Sequence, residues 1–271
     1  MTLAPQVPSE VVDYYESRFD EAGRLTSSGD GVLEMTRTQE LLRRHLPPAP
    51  ASVVDIGGGP GTHSRWLSRD GYQVHVIDPV ARHVEQAARD GVTAEIGDAR
   101  GLTAPDSSYD VALLMGPLYH LQERADRVRA LVEAYRVTRL GGLLAVAVIN
   151  RYAPIFDQVA TTLLAQPGLS ERVAETSRTG LVDGARGFTR AYLHTVAELE
   201  DEMRAAGLSE VTLYGVEGPG WSILKGVELR AGEASADSSL FRAALVAARL
   251  AEEHPALLAA SSHLLAVATR P

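Results

Sequence analysis

The sequence predicts an α/β protein built on a doubly wound, mostly parallel seven-stranded sheet. Short apolar segments alternate with helical segments through residues 52–149, which is the pattern of β–α–β units. These apolar segments do not alternate with polar residues, so their strands are expected to be covered on both faces. A chain of 271 residues is also long enough to bury a core of this kind without disulfide bonds.

Helical segments are expected before the sheet, over residues 9–46. Apolar and aromatic residues recur at helical spacing from Val11 onward, and a second helical pattern covers 33–46. This second helix is expected to end before Pro47, because proline cannot continue a helix.

The strands are predicted from short apolar segments bounded by glycine, proline or aspartate. The helices are predicted from apolar spacing, capping residues and terminal glycines. The predicted strands are 52–56, 72–77, 92–96, 109–115, 143–149, 211–216 and 263–269. The predicted helices are 62–69 with Thr62 as its N-cap, 80–90, 123–139, 196–206 and 240–253.

Residues 151–193 interrupt this alternation. Proline and glycine recur there, as at Pro154, Pro167 and Gly180, which is typical of short helices joined by loops. We therefore expect extra helical material after the fifth strand.

Composition narrows the functional class. The 26 Lys and Arg residues against 35 Asp and Glu give a net charge of −9, which argues against binding of nucleic acid through phosphate neutralisation. The chain has no cysteine, which excludes thiolate nucleophiles and cysteine metal sites. No signal peptide is legible, and no apolar segment approaches the ~18 residues of a membrane span. We expect a cytoplasmic protein that binds neither nucleic acid nor membrane.

The glycine-rich turn after the first strand is the strongest functional signal. Gly57, Gly59 and Gly61 lie between a predicted strand and a predicted helix, where glycine lets the backbone turn tightly and approach a ligand. A dinucleotide-binding fingerprint would need glycine at the position of Thr62, and a P-loop would need a Gly-Lys ending. Neither standard phosphate-binding loop fits this turn.

Two acidic residues follow the next two strands. Asp78 ends the second strand about 20 residues after the first glycine, where nucleoside-binding sheets place a carboxylate on the ribose hydroxyls. Asp98 ends the third strand, and its carboxylate can accept a hydrogen bond from an exocyclic amine such as that of adenine. The turn and both acids lie at the carboxyl ends of parallel strands, where such sheets bind ligands.

On these residues the chain resembles class I S-adenosylmethionine-dependent methyltransferases. Residues 55–61 look like the D/E-x-G-x-G-x-G motif, Asp78 like the ribose-binding acid, and Asp98 with Ala99 like the pair that contacts adenine. Residues 113–121 look like the segment that passes beneath the sulfonium in small-molecule members. The resemblance implies a Rossmann-like fold with an antiparallel last strand, S-adenosylmethionine as cofactor and S-adenosylhomocysteine as product.

The cofactor itself carries a carboxylate and no phosphate. Tyr14 and Arg37 are expected to close over it, because an arginine can pair with its carboxylate. The full set of predicted cofactor-binding residues is Tyr14, Arg37, Asp55, Gly57, Gly58, Gly59, Asp78, Pro79, Asp98, Ala99 and Met115.

The chain divides into four expected parts. These are an N-terminal helical lid segment (1–50), the cofactor-binding half of the Rossmann-like domain (51–150), a helical cap insert (151–195) and the C-terminal part of the sheet (196–271).

The methyl acceptor is expected to be a small molecule. Residues 115–119 depart from the D/N-P-P-Y/F segment of exocyclic-amine methyltransferases, and several small-molecule members look similar around the Tyr-His pair and the segment 217–221. A secondary metabolite fits this class. His120 and His194 are the candidate catalytic bases, with a structural role as the alternative for each. The histidine spacing predicts no metal site.

Aromatic residues outside the sheet are expected to pack in the core or to cover the substrate. Glu217, after the sixth strand, is expected to face either substrate or solvent. Two alternatives to a methyltransferase remain: an NAD(P)-dependent oxidoreductase, and a non-catalytic S-adenosylmethionine-binding module that regulates a partner. The sequence leaves open a homodimer, the acceptor and the atom that is methylated.

Overall fold

The strands form a seven-stranded central sheet and a separate hairpin. The computed structural model describes residues 9–17, 19–184, 188–232 and 238–271. The strands among these residues are β1 (Ser52–Ile56), β2 (Gln73–Asp78), β3 (Thr93–Ile96), β4 (Tyr109–Leu114), β5 (Thr138–Ile149), β6 (Leu181–Asp183), β7 (Arg190–Tyr192), β8 (Val211–Gly215) and β9 (His263–Thr269).

The sheet has the strand order β3-β2-β1-β4-β5-β9-β8. Strand β9 lies antiparallel between β5 and β8, and the pairs among β1 to β5 are parallel. The predicted seven-stranded sheet with an antiparallel last strand is therefore confirmed.

Helices flank the sheet and extend beyond it. They are α1 (Ser9–Ser17), α2 (Gly29–His45), α3 (Thr62–Arg69), α4 (Ala81–Arg89), α5 (Arg124–Val137), α6 (Ala153–Ala160), α7 (Leu169–Thr179), α8 (Val196–Ala205), α9 (Trp221–Ala231) and α10 (Ser239–Ala251).

Several local features differ from the sequence prediction, and one is that β5 begins at Thr138 rather than at residue 143. Thr62 is the first helical residue of α3, and the N-cap is Gly61, whose φ of 82° few other residues adopt easily. Helix α9 was not predicted, because the glycines and proline of the preceding turn (Gly218–Gly220) resemble a loop. That turn packs against α10, since a Cβ on Gly218 would lie 2.6 Å from Ala248 Cα.

Both faces of the sheet are covered, which explains the unbroken apolar sequence of its strands. Successive residues of β1 point to opposite faces. Val53 belongs to a buried cluster with residues of α2, α3 and α4, whereas Val54 belongs to one with residues of α5 and α8. A third cluster joins α2, α6, α9 and α10 beyond the edge of the sheet.

The insert after β5 contains α6, α7 and the hairpin of β6 and β7. The hairpin was not predicted, because strands of three residues leave little periodic signal in a sequence. It is tied to the turn after β4 through Gln122, whose Nε2 donates hydrogen bonds to the carbonyls of Val182 (3.1 Å) and Ala191 (3.3 Å). Among the described residues, no helix combines the length and apolar character needed to cross a membrane.

Candidate active site

The glycine loop after β1 has a shape that only glycine allows. Gly57 and Gly59 have φ angles of 68° and 57°, in the left-handed region that side chains rarely adopt. Gly58 has no room for a side chain, because a Cβ there would lie 2.6 Å from Asp55 Cγ. The close fit brings the backbone of the loop to the surface of a pocket.

Asp55 supports this loop from below. Its carboxylate is fully buried and accepts a hydrogen bond of 2.7 Å from Ser64 Oγ in α3. Burial raises the pKa of Asp55 to about 6. Asp55 was predicted to bind the cofactor, but it lies outside the pocket lining, since the strand turns its side chain toward α3.

The pocket lies at the carboxyl ends of β1 to β4, where parallel sheets bind ligands. Five lining residues come from the N-terminal segment and were not predicted to face the cofactor: Val11, Tyr15, Glu21, Arg24 and Leu25. The residues that were predicted for the site and do line it are Gly57, Gly58, Gly59, Asp78, Pro79, Asp98, Ala99, Met115 and His120.

Asp78 is held rigidly at the pocket wall. Its Oδ2 accepts a hydrogen bond from the Gly59 N–H and its Oδ1 one from the Val80 N–H, both at 2.9 Å. His83 Nδ1 lies 3.1 Å from the same Oδ1. A carboxylate has about four acceptor positions, so Asp78 can still accept one hydrogen bond from a ligand hydroxyl.

Asp98 has a partner that the sequence did not indicate. Arg100 donates from one terminal nitrogen to Asp98 Oδ2 (2.6 Å) and from Nε to Oδ1 (3.0 Å). Its other terminal nitrogen donates to Asp126 at 2.7 Å. This ion pair fixes the turn after β3, so Asp98 and Ala99 form a rigid wall of the pocket.

His120 connects two segments that cover the pocket. Its Nε2 lies 3.1 Å from the hydroxyl of Tyr15 in α1, and its Nδ1 lies 3.0 Å from Thr189 Oγ1 in the insert. Burial lowers the pKa of His120 to about 4, so the ring is neutral at pH 7 and only weakly basic. Both ring nitrogens face hydroxyl groups, which favours a positioning role.

His194 does not line the pocket, nor does it line the second cavity of the structure. It is fully buried, and its Nε2 lies 3.2 Å from Glu202, which also pairs with Arg127. Burial lowers the pKa of His194. The structure favours the structural role for this residue over that of a catalytic base, because it encloses His194 in an ion-paired core.

Arg37 and Tyr14 also lie outside the pocket lining. Arg37 is fully buried and ion-paired with Glu40 and Glu252, because its side of α2 faces α10. Tyr14 stacks on Phe19 with ring centroids 5.5 Å apart. The structure therefore does not place these two residues at the pocket, whose lining instead includes Tyr15 and Arg24 of the same segment.

Arg24 links the pocket to a second, larger cavity of about 1670 Å³. Its Nε donates to Glu21 (2.7 Å), and its terminal nitrogens donate to Glu34 at 2.8 and 2.9 Å. We call the second space the large cavity. It extends between the N-terminal segment, the insert and α9, and Phe19 and Phe188 contribute to its wall. No periodic pattern in the sequence singles out Arg24, because only tertiary packing places it here.

A cluster of Glu34, Glu217 and His263 lines the large cavity. Among the described residues it is the one group of three side chains whose metal-ligand atoms lie within 4.8 Å of one another. His263 Nδ1 is 2.5 Å from Glu217 Oε1 and 3.7 Å from Glu34 Oε2. Burial opposes protonation of His263, but the two carboxylates outweigh it and raise its pKa to about 9. The predicted position of Glu217 is thereby resolved: it is buried at the cavity wall.

A family model described as a methyltransferase domain matches residues 53–142, which include most of the residues of the pocket. Together with the fold, this match supports the resemblance of the chain to class I S-adenosylmethionine-dependent methyltransferases.

Individual relatives agree with that class. The chain is 28% identical over 196 residues to a malonyl-[acyl-carrier protein] O-methyltransferase of Methylococcus capsulatus, covering 68% of this chain and 62% of the relative. It is 28% identical over 172 residues to a ubiquinone biosynthesis O-methyltransferase of Methylocella silvestris, covering 53% and 66%. The matches therefore span less than two thirds of each relative's length.

A solved structure resembles nearly the whole chain. It is the partner of the Trm112 methyltransferase activator in a complex from Haloferax volcanii, with a TM-score of 0.61, 19% identity and 98% of both chains covered. At this identity the likeness concerns the fold.

Proposed function

We propose that this protein transfers a methyl group from S-adenosylmethionine to a small molecule held in the large cavity. The observation that carries the proposal is the position of Arg24, which lines both the pocket of the glycine loop and the large cavity. A cofactor in the pocket and an acceptor in the cavity would therefore meet at one residue.

The pocket suits the chemistry of this cofactor. S-adenosylmethionine supplies an activated methyl group on a sulfonium cation, together with a ribose diol, an adenine and an amino acid. Asp78 is rigid and retains acceptor capacity for one hydroxyl of the diol, and the turn at Asp98 and Ala99 lies where the adenine is expected. Arg24 is the cation that we assign to the cofactor carboxylate, in place of Arg37.

A dinucleotide fits the same pocket less well. Three carboxylates line it, on Glu21, Asp78 and Asp98, against the single arginine Arg24. Gly59 lies next to one of them, since a Cβ on it would be 3.7 Å from Glu21 Cγ. A pyrophosphate carries negative charge and would be repelled here, whereas a sulfonium or ammonium cation would be attracted.

The cavity supports a small acceptor. Its wall is assembled from the N-terminal segment, the insert and α9, and these surround space as a binding site for a small molecule requires. We propose that the N-terminal segment (1–50) acts as a lid and the insert (151–195) as a cap. Transfer then depends on orientation of the two reactants, which can supply much of the rate.

Calorimetry with S-adenosylhomocysteine and with NAD tests the cofactor. We expect binding of the first and none of the second. Labelled-methyl transfer is then measured on a panel of phenols, alcohols, carboxylic acids and amines, with transfer RNA as the contrasting acceptor. Incorporation into a small molecule supports the proposal. Binding without incorporation into any acceptor would favour the regulatory alternative, and incorporation into transfer RNA alone would contradict a small-molecule acceptor.

A further inference from the structure

We propose that His263 is the catalytic base, taking a proton from a hydroxyl group of the methyl acceptor, and that Glu217 orients its ring. This inference rests on the proposed function and specifies the acceptor of that same site. It concerns two residues at the wall of the large cavity, neither of which was predicted as a base.

Topology brings the two residues to the acceptor side of the sheet. His263 begins β9 and pairs with Ile149 at the carboxyl end of β5. Glu217 follows β8, which lies on the other side of β9. The cofactor pocket uses the edge at β1 to β4, so the dyad occupies the other half of the same edge. Both residues line the large cavity.

Glu217 is held in one orientation by several donors. Its Oε2 accepts hydrogen bonds from Ser261 Oγ (2.7 Å) and from the backbone N–H of His263 (2.9 Å). Its Oε1 lies 2.5 Å from His263 Nδ1. A buried carboxylate on one imidazole nitrogen fixes the tautomer and ring direction, which is the arrangement that activates histidine bases. Nε2 is then the nitrogen that receives a proton.

The charges around the ring stabilise the cation that forms. Glu34 on α2 also lies near this nitrogen, with its Oε2 3.7 Å from Nδ1, and Arg24 pairs with both oxygens of Glu34. His63 and Tyr119 are further titratable groups near Glu34: burial lowers the pKa of His63 to about 4 and raises the pKa of Tyr119, so both stay neutral. Two carboxylates therefore face the imidazolium at close range. The raised pKa of His263 agrees with this geometry.

His263 is also a stronger base than the other candidate. His120 has a pKa near 4 and both nitrogens at hydroxyl groups, so it takes a proton poorly at neutral pH. A general base works best when its pKa lies near the working pH, so His263, with a pKa of about 9, acts as a base in alkaline solution, where its ring is neutral. A phenolic or enolic hydroxyl matches His263, whereas a carboxylic acid is already ionised and needs no base.

The step balances without a further reagent. His263 Nε2 takes the proton of the acceptor hydroxyl while the hydroxyl oxygen bonds to the methyl carbon. The carbon–sulfur bond breaks, and its electron pair stays on sulfur, which becomes a neutral thioether. The imidazolium then releases its proton to water.

The test compares variants of the full chain in methyl transfer to phenols and to carboxylic acids. His263→Asn should lower kcat roughly 10²–10⁴-fold, with the dissociation constant of S-adenosylhomocysteine unchanged. His263→Ala should regain activity when imidazole is added. The matched control is His254→Gln, an exposed histidine, which should retain full activity.

Glu217→Gln tests the role of Glu217 through the pH dependence of kcat/KM, which would not shift if Glu217 only supported the fold. The rising limb of kcat/KM against pH should lie near pH 9 in the wild type and shift to lower pH in Glu217→Gln, because a carboxylate that raises the pKa is removed. Circular dichroism checks that each variant folds. If His263→Asn does not fold, the pH profile of Glu217→Gln decides.

The outcomes separate the two proposals. A wild type that binds cofactor but methylates no member of the panel overturns the proposed function and this inference with it. An active wild type with an equally active His263→Asn overturns this inference alone. So does methylation confined to carboxylic acids, or a pH profile that Glu217→Gln leaves in place.

Discussion

Arg24 holds Glu34 through two parallel hydrogen bonds, of 2.8 and 2.9 Å, at the boundary between the cofactor pocket and the large cavity. Arginine forms this two-pronged pair with a carboxylate because its planar donors match the two oxygens. The pair ties the turn before α2 to α2 itself. It thereby connects the turn before α2 to the cluster of Glu34, Glu217 and His263.

Arg24→Met should change cofactor binding, whereas Arg37→Met should change the stability of the fold. Arg24→Met should weaken binding of S-adenosylhomocysteine about 10- to 100-fold, because a hydrogen bond to a charged group contributes about 1.5–3 kcal/mol. Arg37→Met should leave binding unchanged and lower the free energy of unfolding by about 1–3 kcal/mol, since it removes the buried partner of Glu40 and Glu252.

Calorimetry and thermal unfolding measure both quantities for both variants. Each variant serves as the control for the other, because both lose one arginine of the N-terminal segment. Weaker cofactor binding in Arg37→Met would restore the original assignment of that residue.

Asp78→Asn should weaken cofactor binding by about 1–3 kcal/mol, since the amide retains the size of the carboxylate but loses the charge and half of its acceptors. Titration calorimetry with S-adenosylhomocysteine measures the loss. Glu85→Gln on α4 is the control, because Glu85 is exposed and pairs only with Arg89 in the next turn of the same helix. Equal affinities for Asp78→Asn and the wild type would contradict the assignment of the cofactor ribose to Asp78.

Gly58→Ala should disrupt the loop. The new Cβ would lie 2.6 Å from Asp55 Cγ and 3.0 Å from the Asp55 carbonyl oxygen, so the backbone has to move. Overpacking of this kind costs about 1–3 kcal/mol, and binding should weaken at least tenfold because the loop lines the pocket.

Gly101→Ala is the matched control for that substitution. No atom lies within 4 Å of a Cβ there, and the φ angle is not in the left-handed region. Its unfolding and binding should match the wild type. A normal affinity in Gly58→Ala would show that the loop can relax, which the observed packing contradicts.

The sequence predicted the central sheet and many of the residues that line the pocket of the glycine loop, because both follow from local patterns. Apolar strands, a glycine turn and acids at strand ends are legible one after another along the chain. Residues 57–59, Asp78 and Asp98 consequently lie where they were expected. Strand ends meet at one edge by topology alone, so no knowledge of side-chain packing was needed.

The acceptor side could not be predicted in the same way. Glu34, Glu217 and His263 come from three distant segments, and their juxtaposition depends on how α2 packs against the edge of the sheet. Arg37 was predicted at the cofactor and Arg24 was not considered, because only tertiary structure shows that Arg37 faces α10 and that Arg24 lines the pocket. His194 was selected because it precedes a helix, and its complete burial is visible only in the structure.

Asp55→Asn should change how stability depends on pH. The folded-state pKa of Asp55 is raised by burial to about 6, above its ordinary value of 3.8. The folded protein therefore binds this proton more tightly than the unfolded chain does. The contribution of the protonated Asp55 carboxyl to the free energy of unfolding is fully present below about pH 3.8 and is lost as the pH rises through 6.

The amide introduced by Asp55→Asn is neutral at every pH and avoids the cost of a buried charge. The stability of this variant relative to the wild type should therefore increase by about 1–3 kcal/mol between pH 4 and pH 7. Denaturant unfolding at several pH values measures this difference. The prediction concerns how the difference changes with pH, so it is not affected if the substitution alters the free energy of unfolding by the same amount at every pH.

Asp110→Asn is the control of opposite sign. Hydrogen bonds from Ser52 and Arg139 lower the pKa of Asp110, so its stabilising contribution is present above pH 3.8 and lost on acidification. That variant should be less stable than the wild type at pH 7, by a modest amount because Asp110 is partly exposed, and the difference should shrink toward low pH. Parallel pH curves for Asp55→Asn and the wild type would mean that Asp55 titrates normally in the folded protein.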